Sequence, residues 1–232
     1  MKIALLGYGK MGRAVEKIAL KRGHEIVLKI NSENRDYDIT DADLAIDFSN
    51  PNVAHKNLYN CVENGIPVIS GTTGWLAKYQ EFIAFCKQNE GAFLYASNFS
   101  IGVNLFFNLN EYLAKMMKSI SGYKVEMEEI HHIHKLDKPS GTAITLAQQI
   151  IENSEKKQWH LENDSSENLF ISVIREEEIP GTHSIKYVSK VDQIEIKHTA
   201  LNRDGFALGA VIAAEWLLGK KGVFGMKDVL SL

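Results

Sequence analysis

"KIALLGYGKMGRAVEKIALKRG", Lys2 to Gly23, is the stretch whose reading decides the fold. It opens with a short apolar run, Lys2–Leu6, and then passes through Gly7, Gly9 and Gly12 in GxGxxG spacing. From Arg13 to Gly23 it continues with helical periodicity and a glycine stop. A strand, a tight glycine turn and a helix in that order form the opening of a βαβ unit that cradles a pyrophosphate. In that arrangement Gly7 permits the turn, Gly9 lets the backbone approach a phosphate, and Gly12 lets the helix pack closely. The helix start presents N–H groups and a positive dipole end to an anion. The alternative is a turn that is only structural.

The same alternation continues outward. "HEIVLKI" (24–30), "DLAIDFS" (43–49), "PVIS" (67–70) and "AFLYAS" (92–97) read as strands. Between them lie helical segments, one starting at Pro51, where proline suits a first turn, and one over "LAKYQEFIAFCKQNEG". Apolar strands alternating with amphipathic helices predict a parallel sheet covered on both faces. After "NFSIGVN" the pattern changes. A helix from about Ile101 to Ser119 leads into the alternating run "YKVEMEEIHH", and a second helix spans about Gly141 to Asn153. Residues Glu152–Asn168 are polar and read as an irregular surface excursion. "LFISVIREEE", "HSIKYVSKV" and "QIEIKHTAL" follow as strands, with Pro180-Gly181 as a turn signal. The expected architecture is α/β: a Rossmann-type parallel sheet, then an α+β region with an open mixed sheet. Periodicity does not decide where the apolar helix "FALGAVIAAEWLLGKKG" packs.

The 232 residues suit one large domain or two small ones. A net charge of −3 argues against a general nucleic-acid binder. Cys61 and Cys86 stand in helical patterns with neither CxxC nor metal-like spacing, and read as free thiols of a reducing compartment. "MKIALLGYGKMG" is not a signal peptide, and no run approaches the roughly 20 apolar residues of a membrane span. The expectation is a cytoplasmic protein with no membrane partner.

At the end of the second strand, about 20 residues beyond the glycines, a dinucleotide fold carries an acidic residue for the adenosine ribose. Here Asn31 or Ser32 holds that place, with Glu33 nearby, and Lys29 or Arg35 is a candidate for a 2′-phosphate or, equally, solvated surface. Neither NADH nor NADPH is selected. "SGTTGW" (70–75) and "ASNFSIG" (96–102) also follow strands, and in an open α/β sheet ligands bind beyond those strand ends. Both loops are equally good turn chemistry.

"EEIHHIHKLDKPSGTA" (128–143) gathers three histidines and two lysines within eight residues. A metal site would require Glu128, His131, His132 and His134 to converge, yet adjacent residues of an extended run start on opposite faces. No metal is expected. An anion site fits better. Ser140 caps a helix that opens with Gly141 and Thr142, Lys135 supplies a positive charge, and the histidines supply protons near neutral pH.

"EIHHIHKLDKPSGTA" closely resembles the signature of the 4-hydroxy-tetrahydrodipicolinate reductase (dihydrodipicolinate reductase) family, E-x-H-H-x-x-K-x-D-x-P-S-G-T. "GYGKMGR", "IDFSNP", "GTTGW", "NFSIGVN", "IPGTHSI" and "GVFGMKDVL" also resemble that family, in order, over essentially the whole chain. The resemblance implies a reductase of lysine and diaminopimelate biosynthesis that uses NADH or NADPH on a small cyclic dicarboxylate. It implies a dinucleotide domain of residues 1–102 and 205–232 and a substrate and oligomerisation domain of residues 103–204, assembled as a homotetramer. His131 and Lys135 would be catalytic, and His132, Ser140, Gly141 and Thr142 would bind substrate. Gly7, Tyr8, Gly9, Lys10, Met11, Gly12, Asn31, Gly71, Thr72, Thr73, Ala96, Ser97, Asn98 and Phe99 would bind cofactor. The chain departs from the family in Lys138, where alanine is common, and in its shorter length. Rival readings are another imine or semialdehyde reductase, a dinucleotide-sensing regulator, and a zinc hydrolase.

Overall fold

A computed structural model describes residues 1–31, 34, 36–162, 167–202 and 204–232. They form two compact units, Met1–Ile101 with Asp204–Leu232, and Gly102–Arg203.

The first unit is built on a six-stranded parallel sheet. β1 (Lys2–Leu6), β2 (Glu25–Ile30), β3 (Leu44–Asp47), β4 (Val68–Ser70), β5 (Ala92–Tyr95) and, far along the chain, β11 (Gly222–Phe224) lie in the order β11-β5-β4-β3-β1-β2. Alternate residues of β1 enter opposite cores: Ile3 and Leu5 on one face, Ala4 and Leu6 on the other. α1 (Lys10–Lys21) packs on the first face through Val15 and Ala19, together with α6 (Asp204–Leu217). α6 buries Ala207, Ala210, Val211, Ala213, Ala214 and Leu217, which places the apolar C-terminal helix against this sheet. α7 (Met226–Leu230) adds Met226. α2 (Pro51–Glu63) and α3 (Tyr79–Gln88) cover the second face with Leu58, Val62 and Phe82. Asn50 caps α2, its side chain accepting from the Asn52 N–H at 3.1 Å, with Pro51 as the first residue. Cys61 and Cys86 are free and buried; burial pushes the Cys61 thiol pKa well up and that of Cys86 to about 11.

The second unit has a mixed sheet in the order β10-β9-β6-β8-β7, with β6 (Lys124–His131), β7 (Gln158–His160), β8 (Asn168–Arg175), β9 (Gly181–Val188) and β10 (Gln193–Ala200). β6 pairs antiparallel with β9 and parallel with β8. α4 (Ile101–Met117) and α5 (Gly141–Glu152) bury Phe106, Leu113, Leu146 and Ile150 against Met127, Ile171 and Ile185. The expected irregular excursion after α5 therefore contains a strand, β7, whose three residues are too few to show a period. β11 is equally short and was not expected as a strand; it is held by parallel pairing to β5. Among the described residues, no helix is long and apolar enough to cross a membrane.

Candidate active site

In the first unit β2 and β3 flank β1 on opposite sides, so the strand order reverses at the glycine turn. Because the strands are parallel, the loops after β1 to β5 emerge at one edge, where open α/β sheets bind ligands. Backbone bonds tie the loops together. The Gly7 and Tyr8 N–H groups donate to the Ile30 carbonyl at 3.0 and 2.8 Å. Gly71 N–H donates to the Asp47 carbonyl at 2.9 Å, and Ala96 N–H to the Ser70 carbonyl at 3.2 Å.

Gly7 has a φ of +101°, and a Cβ there would lie 2.1 Å from the Phe48 carbonyl oxygen. A Cβ on Gly12 would lie 2.4 Å from the Gly7 carbonyl oxygen. A Cβ on Gly9, by contrast, would meet nothing within 4 Å, and α1 begins at Lys10 with no side-chain cap. The turn is closed where the chain must pack and open where a phosphate would lie, so these residues fit a pyrophosphate.

Tyr8 bonds the carboxylate of Glu16, and Lys29 Nζ and the Arg13 guanidinium lie 5.0 and 4.9 Å from the Tyr8 ring centroid. Lys29 is paired with Glu16, which holds the Glu16 carboxyl pKa below its usual value. Asn31 is exposed and accepts from the Asn34 N–H at 3.3 Å; Ser32, Glu33 and Arg35, the other sequence candidates at this corner, lie outside the described residues. Lys10, Thr73 and Ser97 are exposed, Met11 and Asn98 partly so, and Ala96 and Phe99 are buried.

Behind these loops sits Asp47, fully buried at the end of β3. It accepts from Ser49 Oγ (2.6 Å), Thr72 Oγ1 (2.7 Å), Ser70 Oγ (2.8 Å) and Asn57 Nδ2 (3.2 Å). Thr72 Oγ1 also accepts from the Ser49 N–H at 2.9 Å, and Trp75 Nε1 donates to the Thr72 carbonyl at 2.8 Å. Burial raises the Asp47 pKa, and its four donors oppose that rise.

In the second unit Glu129 and His131, two apart on β6, share the face turned toward the helices. Glu129 is completely buried. Its Oε1 accepts from Arg175 Nη2 at 2.9 Å, and its Oε2 from the Ser140 backbone N–H at 3.0 Å. The same Oε2 lies 3.7 Å from His131 Nδ1 and 3.7 Å from His183 Nε2. Burial alone would raise the Glu129 pKa, but His183, Ser140 and Arg175 hold it down to about 2, so it is ionised. For His131, burial lowers the pKa to about 4; Glu129 opposes this, while His183, Lys135 and Arg175 add to it. Nε2 of His131 faces Gly181, whose φ is +155° and where a Cβ would lie 3.0 Å from that nitrogen.

The turn after β6 is clamped by the same arginine. Arg175 Nη2 also donates to the Asp137 carbonyl at 2.7 Å, and Nε to that of Lys135 at 3.4 Å. Lys135 Nζ lies 2.9 Å from Asp137 Oδ1; burial works to raise the Asp137 pKa, but this ammonium keeps it low. Ser140 caps α5 by accepting from the Ala143 N–H at 3.1 Å, and its Oγ lies 3.1 Å from His183 Nε2. Gly141 and Thr142 are the first two residues of α5, and a Cβ on Gly141 would meet nothing within 4 Å.

His131 and Ser140 thus stand beside Glu129, Lys135 joins them through the Arg175 clamp on its carbonyl, and Gly141 and Thr142 follow Ser140 at the start of α5. His132 is half-buried beyond the strand, its N–H donating to the Ile179 carbonyl at 2.8 Å. His134 is exposed and paired with Glu178 at 3.3 Å, and Lys138 is exposed. Sequence spacing leaves His131 and His134 equivalent; burial separates them. No role is assigned from sequence to Glu129, which opens the E-x-H-H signature, or to Arg175, Gly181 or His183. Glu129 heads "EIHHIHKLDKPSGTA" and Gly181 and His183 lie within "IPGTHSI", so the resemblance to the family carried a signal for three of the four. Among the described residues, the titratable groups that converge are Glu129, His131 and His183, with ligand atoms within 4.8 Å of one another, rather than Glu128, His132 and His134. Arg175 already compensates that carboxylate.

Residues 1–99 match the family described as "Dihydrodipicolinate reductase, N-terminus", and residues 102–230 match "Dihydrodipicolinate reductase, C-terminus". The 4-hydroxy-tetrahydrodipicolinate reductase of Christiangramia forsetii is 55% identical over 234 residues, covering 100% of this chain and 98% of that protein. The reductase of the same name from Neisseria meningitidis serogroup B is 31% identical over 266 residues, again covering 100% and 98%. Among solved structures, dipicolinate-bound dihydrodipicolinate reductase from Paenisporosarcina sp. TG-14 shares the fold, with a TM-score of 0.81 at 21% identity over 98% of each chain.

Proposed function

The chain belongs to the dihydrodipicolinate reductase family, and from that premise we propose that it reduces 4-hydroxy-tetrahydrodipicolinate to tetrahydrodipicolinate, with loss of water. The reaction is a cytoplasmic step of lysine and diaminopimelate biosynthesis and draws on NADH or NADPH.

The observation that carries this reading is the cluster around Glu129: a buried imidazole, an ammonium and a glycine-led helix start in one short segment. That set suits a substrate with two carboxylates and an electron-rich transition state. The start of α5, at Gly141 and Thr142, binds a carboxylate with help from His132 and Ser140. Lys135 stabilises the negative charge that develops on the conjugated imine. His131 moves the proton, and the negative charge of a dianionic substrate beside it raises the pKa that burial lowers. A positioned acid of this kind is worth on the order of 10² to 10⁴ in rate.

In the first unit Gly7, Tyr8, Gly9, Lys10, Met11 and Gly12 would hold the pyrophosphate of a dinucleotide, Asn31 its adenosine ribose, and Gly71, Thr72, Thr73, Ala96, Ser97, Asn98 and Phe99 the remainder. When bound, the dinucleotide supplies the hydride. Four chains assemble through the open face of the second unit's sheet, where Glu126, Glu128, Ser184 and Lys186 lie opposite the helices.

The test is oxidation of NADH and NADPH, each followed at about 340 nm, with enzymatically generated substrate. Turnover blocked by pyridine-2,6-dicarboxylate is the expected result. Turnover of a semialdehyde or an unrelated imine instead, with no such inhibition, would reassign the enzyme. Light scattering in solution checks the tetramer.

A further inference from the structure

We infer that Glu129 is a positioning residue that fixes His131 and the substrate-binding start of α5 through one buried carboxylate. The inference rests on the reductase reading of this cluster and goes beyond it by assigning the part that orders it.

The argument starts from acceptor capacity. An ionised carboxylate accepts on both oxygens, whereas a carboxamide accepts on one and donates on the other. Both close partners of Glu129 are obligate donors: the Arg175 guanidinium on Oε1 at 2.9 Å and the Ser140 backbone N–H on Oε2 at 3.0 Å. Neither can be reversed. Ser140 is also the cap of α5, so the carboxylate sets where that helix begins.

The second part concerns His131. Its Nδ1 is buried and has no hydrogen-bond partner among the described residues, and the nearest charge is Glu129 Oε2 at 3.7 Å. A carboxylate beside Nδ1 favours a proton there, which leaves Nε2 as the nitrogen that exchanges protons with a ligand. Nε2 looks onto Gly181, where the absence of a side chain leaves space. Arg175 neutralises the carboxylate and also holds the Lys135 and Asp137 carbonyls, so the turn that carries Lys135 and its partner Asp137 is ordered from the same point. His183, 3.1 Å from Ser140 Oγ and with its ring centroid 5.0 Å from that of His131, closes the group.

Two variants and one measurement on the unaltered protein test this. Glu129→Gln cannot satisfy Arg175 and Ser140 together. It is expected to lower kcat about a hundred-fold and to weaken pyridine-2,6-dicarboxylate binding, while the KM for the dinucleotide stays unchanged. Glu129→Asp, which keeps two acceptors, is expected to recover at least a tenth of the lost kcat. A purely structural role would move both KM values together and show no rescue. Nitrogen-15 NMR of histidine-labelled wild-type protein should find neutral His131 protonated on Nδ1. A proton on Nε2, or a Glu129→Gln enzyme within about threefold of normal kcat, would overturn the assignment. A wild-type protein inactive on the expected substrate would instead remove the reductase reading and leave the tautomer result standing.

Discussion

Asp47 and Glu129 are the same device built twice, with different partners. Each is a fully buried carboxylate, Asp47 on the last residue of β3 and Glu129 two residues before the end of β6, and each gathers the loops of its own unit. Around Asp47 three of the four donors are hydroxyls, from Ser49, Ser70 and Thr72. A hydroxyl can turn and accept, so that hub tolerates a change of charge. Around Glu129 the partners are a guanidinium and a backbone N–H, which cannot turn, with two imidazoles at 3.7 Å. Burial dominates the first and raises the Asp47 pKa; the donors win at the second and bring Glu129 down to about 2. The first hub shapes the loops proposed to bind the dinucleotide. The second keeps a fixed charge beside the imidazole proposed to move a proton.

The contrast can be broken at its functional end first. Lys135→Ala, within the turn that Glu129 and Arg175 order, should lower kcat by roughly 10²- to 10⁴-fold, with the dinucleotide KM unchanged, as steady-state kinetics would record. A near-normal kcat removes Lys135 from the chemistry. Next, paired isosteric changes compare the hubs directly by urea unfolding. Glu129→Gln should cost roughly 3–5 kcal/mol, because a buried charge pair is broken, whereas Asp47→Asn should cost only about 1 kcal/mol. Equal losses would dissolve the distinction. Gly181→Ala, which sets a methyl group 3.0 Å from His131 Nε2, should lower kcat about tenfold while leaving dinucleotide binding intact.

Acidification gives a smaller effect with opposite signs in the two units. His131 has its pKa lowered from 6.5 to about 4, so folding favours its neutral form; that stability is complete above 6.5 and is lost as pH falls toward 4. Glu129, lowered from 4.5 to about 2, loses its contribution as pH falls below 4.5. Asp47, with a raised pKa, gains as pH falls. Hydrogen exchange should therefore report loosening of β6 and β9 before β3 and β4 as pH drops from 7 to 4. The smallest expected effect is that of Lys138→Ala. This side chain is exposed, and kcat should stay within about twofold of normal, as typical surface changes do.

The alternation of strands and helices and the glycine turn were legible in the sequence because each is a local pattern. Lys2–Leu6 was read with its bounds intact, and Ser140 was read as the cap of α5. β7 and β11, three residues each, were not legible, because they are defined by the strands they pair with. The same holds for the site. Glu129 lies opposite His183 in the β6–β9 pairing, and His131 opposite Arg175 in the β6–β8 pairing. These partners stand 40 or more positions away in the chain, and register across a sheet is fixed by the whole hydrophobic pattern rather than by any motif. The histidine run and the glutamate that heads it stood in plain view; the partners that Glu129 meets across the sheet did not.

The first unit recruits α6, β11 and α7 from the far end of the chain, while the second is one unbroken segment. During synthesis, domains fold as units as they leave the ribosome. The later segment can therefore reach its native state while the earlier one still waits for its last helix and edge strand. Translation that stops short of Asp204 would release a finished second unit attached to an open, apolar sheet, which makes the C-terminal residues a checkpoint on the whole product.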